Sequence, residues 1–172
     1  MRVTRLFAAT AAAVLVAGCV MPVAAPVAAK PAPKSTGAYG EAEGQIFELI
    51  NAERARRGLR PLAFNQSLDQ MARIQAQNMA HFQKMAHVLP EARLPTLADR
   101  AHYTGYPFGE IAENVALGYP GPEAVVRGWM NSSGHRRNIL NSGVVETGIA
   151  IARSSAGGLY YCQVFGRRLS SI

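Results

Sequence analysis

Residues 129–140 read WMNSSGHRRNIL and residues 112–118 read AENVALG. The second stretch is short, alternates Val115 with Leu117 and follows Pro107 and Gly109, so it is expected to be a strand or strand-like. The first runs from an apolar Trp129 through a polar turn at 134–140 that is expected to close over a pocket. Each carries one side chain capable of chemistry, Glu113 and His135, and the earlier segment NMAHFQKMAH at 78–87 adds His87. Three such groups, far apart along the chain and on separate elements, suggest one shared pocket.

Outward from this pair of stretches the chain alternates helical and extended patterns. Ile46, Phe47, Leu49 and Ile50 recur at helical spacing, and Arg56 and Arg57 lie in a last turn stopped at Gly58. LRPLAF at 59–64 reads as a short connection. Asn65 is placed to cap a second helix in which Leu68, Met71, Ala72, Gln75, Ala76 and Met79 share a face, running toward Met85 with His87 just past it. Pro90 and Pro95 force irregular backbone, and a short helix is expected over Leu97 to Tyr103, ending at Gly105. Pro122 suits the first turn of a helix that buries Val125, Val126 and Trp129. TGIAIA and LYYCQVF flank SSAGG and predict a hairpin. Helices early and strands late point to an α+β domain with helices on a small, mostly antiparallel sheet.

The amino terminus has a different character. Arg2 and Arg5 precede an uncharged run from Leu6 to Gly18 that is too short for a membrane span and reads as a secretory signal, residues 1–18. Val16-Ala17-Gly18-Cys19 resembles a bacterial lipobox, which implies that Cys19 is lipidated and begins the mature protein. Val20 after that cysteine is unlike the aspartate retention signal and leans toward the outer membrane where the cell has one. Residues 19–40, rich in Ala and Pro, read as a tether, leaving 41–172 as the exported domain.

Charge excludes one class of partner. The net charge is +7, but four of the 18 basic residues lie in the signal and tether, leaving 14 positive against 11 negative charges, or +3, in the domain. The arginines of RARRGLR at 54–60 and of Arg136-Arg137 have no interleaved aromatics, so a nucleic-acid partner is not expected. With Cys19 lipidated, Cys162 has no disulfide partner, and within LYYCQVF it reads as a small buried apolar residue.

NAERARRGLRPLAFNQSLDQMA, then MAH, DR with GY shortly after, AENVALG, Trp129 followed by SSGHRRNIL, TGIAIA and YYCQVFG are together similar to the motifs of bacterial CAP domain proteins. That superfamily groups cysteine-rich secretory proteins, antigen 5 and pathogenesis-related proteins, and the likeness covers roughly residues 45–167. It implies a three-layer α/β/α sandwich and a central cleft lined in eukaryotic members by two histidines and two glutamates. His87 matches the first histidine, Glu113 the glutamate of the G-E-N motif and His135 the histidine of the G-H motif, with a matching distance onward to Gly148. The second glutamate is replaced by Ser132; Glu110 stands as a candidate substitute, and Asn114 adjoins the cleft.

Three chemistries follow from that resemblance. His87, His135 and Glu113 are enough ligands for a divalent metal such as zinc with an open position. The same residues can equally form a metal-free hydrogen-bonded cluster tying helix, strand and loop together. A serine hydrolase would use Ser132 or Ser133 with His135 as base and Glu113 as orienter, although no G-x-S-x-G elbow is present. His81 and His102 match no motif position and are expected on the surface or against a helix; Trp129 is expected in the core. The functions open at this point are a membrane-anchored binding module for a small apolar or amphipathic ligand, a metal or an envelope component; an envelope hydrolase; and an interaction domain with a vestigial cleft.

Overall fold

The computed structural model describes residues 40–169. The expected signal, the expected lipidation position Cys19 and all of the expected tether but Gly40 lie outside them. Nine elements follow in order: α1 (Gly40–Ala55), β1 (Ala63–Phe64), α2 (Gln66–Phe82), α3 (Leu97–Tyr103), β2 (Phe108–Leu117), α4 (Pro122–Asn131), α5 (Ser133–Ile139), β3 (Glu146–Arg153) and β4 (Leu159–Arg168). No helix among the described residues is long and apolar enough to cross a membrane.

The sheet runs β1-β3-β4-β2, antiparallel except for the parallel β1–β3 pair. β4 is central and buried on both faces, which is why LYYCQVF is almost continuously apolar. Its alternate residues divide the core: Tyr160, Cys162 and Val164 pack with α2, while Tyr161 and Phe165 pack with α1 and α4. Helices α2 and α3 cover one face, and α1, α4 and α5 the other. This is the expected α/β/α sandwich.

Small residues on β3 let α2 approach closely. A Cβ on Gly148 would lie 2.0 Å from the Asp69 backbone nitrogen and 2.3 Å from the Leu68 carbonyl carbon, both at the start of α2. Asn65 caps that helix as expected, accepting from the Leu68 N–H at 3.1 Å.

Three local features differ from expectation. LRPLAF contains the two-residue strand β1, held when Ala63 N donates to Val145 O and Asn65 N to Thr147 O. Helix α2 stops at Phe82, before Met85, because Gln83 enters the left-handed region (φ 50°) and the Gln83 and Lys84 amides both turn back to Met79 O. Residues 133–139 form helix α5 rather than a turn, separated from α4 by the extended Ser132.

Arg54 fixes the far end of α5. Its buried guanidinium donates to Ile139 O at 2.7 Å, Asn141 O at 2.8 Å and Arg60 O at 2.9 Å. Asn51, one turn earlier, exchanges two hydrogen bonds with the Leu62 backbone. NAER is therefore an internal clamp that seats α5 and the 59–64 connection.

Gly148→Ala should destabilise the domain by about 2 kcal/mol or more, because the atoms it would meet are α2 backbone rather than a side chain able to yield. Urea unfolding measures this, and a loss of less than about 0.5 kcal/mol would contradict the packing.

Candidate functional site

The edge position of β2 determines where the cleft forms. Glu113 shares the β2 face of Ile111 and Val115, toward α2 and α3, whereas Asn114 shares the face of Ala112 and Ala116, toward α4 and α5. At an edge strand both helix layers can reach round to meet. His87 arrives from the loop after α2, and His135 arrives on α5.

Glu113 is held from three directions. His87 Nδ1–H donates to Oε1 at 3.0 Å, Arg100 Nη2 donates to Oε2 at 2.6 Å, and the Cys162 thiol lies 3.4 Å from the same Oε2. The Glu113 side chain is 3% exposed and that of Arg100 is 0%, whereas His87 is 57% exposed. The result is a buried ion pair with an imidazole on its solvent side.

Arg100 is aimed inward by its helix. Thr96 and Asp99 form a reciprocal capping box at the start of α3, with Asp99 N donating to Thr96 Oγ1 at 3.1 Å and Thr96 N to Asp99 Oδ2 at 3.0 Å. The next residue, Arg100, turns into the layer and donates through Nη1 to Gln75 Oε1 at 2.6 Å. The Gln75 amide in turn donates to Ala86 O at 2.6 Å and His87 O at 3.4 Å. A continuous chain therefore runs from the His87 backbone through Gln75, Arg100 and Glu113 back to the His87 ring.

The other side of β2 is pinned by two asparagines. Asn114 Nδ2 donates to His135 O at 3.1 Å, and Asn138 Nδ2 donates to Asn114 Oδ1 at 2.9 Å and Glu113 O at 3.3 Å. Trp129, 1% exposed, donates from Nε1 to Val115 O at 3.3 Å. These bonds place α4 and α5 against the edge strand and bring His135 within electrostatic reach of His87.

Each titratable group is shifted by what surrounds it. The hydrogen bond to Glu113 raises the His87 pKa, assisted by the Glu113 charge and opposed by burial and Arg100. Burial lowers that of His135, and the charge of His87 lowers it further. Burial first, and then the Glu113 carboxylate, push the Cys162 thiol well up, so it remains a neutral thiol.

Other candidates fall elsewhere. Glu110 does not replace the missing acid: it accepts from Asn141 Nδ2 at 2.6 Å and faces Arg167 at 3.9 Å, on the opposite side of the strand from Glu113. Ser132 is half-buried between α4 and α5 and makes no capping bond; neither it nor the exposed Ser133 has a described hydrogen bond to His135, so the nucleophile–base contact of a serine hydrolase is missing. His81 and His102 are exposed, edge-on to Phe82 and tilted against Phe108.

Within the set His87, Glu113 and His135, the carboxylate is not free to act as a direct metal ligand. Among the described residues no three His, Cys, Asp or Glu side chains are grouped to hold an ion. Both Glu113 oxygens are already engaged, one of them by a buried cation.

Sequence reasoning missed Arg100, Gln75 and Asn138. A signal for Arg100 was present: Thr96 and Asp99 stand at capping-box spacing, and a helix start there orients the following residue. Gln75 was visible as a polar residue on an otherwise apolar helix face.

Glu113→Gln and Arg100→Met should each cost about 3 to 5 kcal/mol in urea unfolding, because each leaves a buried charge without its partner. The double variant should recover about 2 kcal/mol relative to the sum, and strict additivity would contradict a direct pair. Imidazole NMR should show His87 titrating above and His135 below the free value of about 6.5. His87 thus adds stability that is complete below that value and lost as pH rises through its folded pKa. His135 adds stability present above that value and lost as pH falls through its folded pKa. Coincident midpoints would contradict the assignment.

The profile of the CAP cysteine-rich secretory protein family matches residues 47–165. The uncharacterized protein YkwD of Bacillus subtilis (strain 168) is 37% identical over 136 residues, covering 79% of this chain and 50% of YkwD. The chain thus spans half the length of that relative. An extracellular protein containing a SCP domain from Bacillus anthracis str. Ames superposes with a TM-score of 0.68 at 31% identity, covering 74% of this chain and 40% of that one. An outer surface protein from Borrelia burgdorferi gives a TM-score of 0.70 at 21% identity, over 76% of this chain and 96% of that one, a likeness of fold. With the profile spanning β3, most of β4 and every cleft residue, the chain belongs to the cysteine-rich secretory protein (CAP) family.

Proposed function

We propose that this chain is an exported, lipid-anchored CAP domain that binds a small amphipathic ligand or envelope component without turning it over. One observation carries the reading: the cleft carboxylate, Glu113, is enclosed by Arg100, His87 and Cys162. What remains accessible is the outer edge of His87 and the half-buried His135. Flanking His87 in sequence, Met85 and Val88 are 50% and 51% exposed. An apolar surface beside a polar imidazole suits a ligand with an apolar body and a hydrogen-bonding head.

Export is supported by the signal and lipobox in the sequence and by the likeness to the extracellular Bacillus anthracis protein. The anchor would be the lipid on Cys19, in the outer membrane where one exists.

Fractionation tests the anchor: Cys19→Ala should move the protein from the membrane to the soluble fraction, and unchanged membrane association would contradict lipidation. A lysophospholipid titrated below its micelle concentration tests the cleft. It should shift the His87 and His135 imidazole signals, and His87→Ala should weaken binding by about tenfold. Turnover of ester or peptide substrates that is abolished by Glu113→Gln would overturn the non-enzymatic reading. After zinc loading and dialysis, the protein should retain well under one equivalent of metal.

A further inference from the structure

We infer that a second pocket, at the carboxyl end of α1 and lined by Arg54, Arg60 and Ser142, is an anion site that takes a small carboxylate with an apolar body. Arg54 is 2% exposed, and the clamp described above uses only part of its guanidinium. Nε donates to Arg60 O and Nη1 to Ile139 O and Asn141 O, whereas Nη2 has no hydrogen bond among the described residues. Nη2 is not sealed from solvent, so it faces the pocket that Arg54 lines. No carboxylate among the described residues pairs with this cation. Glu53, one residue earlier, is taken by Arg56 and Arg57, while Glu110 accepts from Asn141 Nδ2 and faces Arg167. A buried guanidinium stays charged, and here its charge is answered only by carbonyl dipoles. Burial lowers its pKa, the mark of a desolvation cost that an anion at Nη2 would offset.

The rest of the lining selects among anions. The pocket has a volume of about 300 Å³, at the small end of the range for ligand sites, and none of its lining residues is acidic. The exposed side chains of Arg60 and Ser142 stand beside Arg54 and make no hydrogen bond or ion pair among the described residues. Leu59, Pro61 and Val145 supply an apolar wall, on which Val145 is 45% exposed. Inorganic phosphate would engage the two arginines and leave that wall bare. A carboxylate carrying a short aliphatic chain engages both, since guanidinium geometry matches a carboxylate and the chain covers the apolar side. A free organic acid and the last residue of a peptide share this chemistry.

The test uses isotope-labelled full-length protein in mild detergent and follows the arginine side-chain N–H signals by NMR. The Arg54 Nε–H, buried and bonded to Arg60 O, is the reporter. N-acetylleucine should shift it with a Kd on the order of 1 mM, as expected for a ligand of that size. N-acetylleucinamide, which lacks the charge, should bind about tenfold more weakly or worse. Isocaproate separates the sources: binding equal to that of N-acetylleucine assigns the site to free acids, and weaker binding assigns it to peptide ends. Arg60→Gln, which keeps the backbone carbonyl that Arg54 holds, should weaken N-acetylleucine by about tenfold and leave urea unfolding unchanged. Arg54→Lys should abolish binding. Where that variant does not fold, Val145→Asp, at an exposed side chain, should abolish binding by setting a negative charge in the pocket. No shift of the Arg54 signal at about ten times that Kd, equal binding of acid and amide, or unchanged affinity in Arg60→Gln would overturn the proposal. Inorganic phosphate binding as tightly as N-acetylleucine would overturn the choice of a carboxylate.

Discussion

A carboxylate packed into an apolar layer is costly unless a cation and hydrogen bonds accompany it, and at Glu113 that requirement organises the surrounding structure. Arg100 supplies the cation from α3, Gln75 fixes the cation from α2, and His87 completes the shell from the loop between them. The loop is otherwise irregular, with exposed residues on either side of the buried Leu89. Its place over β2 is secured by the Gln75 bonds to its backbone and by the imidazole bond to Glu113. Such a pair contributes more to fixing one arrangement than to net stability, since burying two charges consumes most of their mutual attraction.

The cleft belongs at β2 for a topological reason. Interior strands β3 and β4 are covered on both faces, and their inward residues meet only one helix layer each. Only at a sheet edge can groups from both layers converge, and β2 is the long edge strand, ten residues against two in β1. Glu113 and Asn114, adjacent and opposite in direction, engage the two layers separately: one binds His87 and Arg100, the other holds α5 through His135 O and Asn138. The E-N pair is thus one carboxylate for the site and one amide for the scaffold.

Much of this was readable from the chain. The hairpin of β3 and β4, the Asn65 cap and the apolar face of α4 each rest on turn, capping or periodicity signals, and each appears where expected. Two elements were not readable for lack of such a signal. β1 is too short to show a period and exists through its bonds to Val145 and Thr147. α5 has only seven residues and a glycine at its second position, and is held by tertiary bonds from Arg54 and Asn114. Of the cleft, the motif residues were legible but their state was not: the Thr96–Asp99 capping box marks where α3 starts, yet nothing local says that the arginine after it is buried against Glu113, because arginine is ordinarily a surface residue.

The most direct measurement is a high-resolution crystal structure of the domain soaked in zinc. The account predicts Arg100 Nη2 still bonded to Glu113 Oε2, His87 Nδ1 still on Oε1, and no metal bonded to the carboxylate. Zinc coordinated by Glu113, with the Arg100 guanidinium displaced, would contradict it.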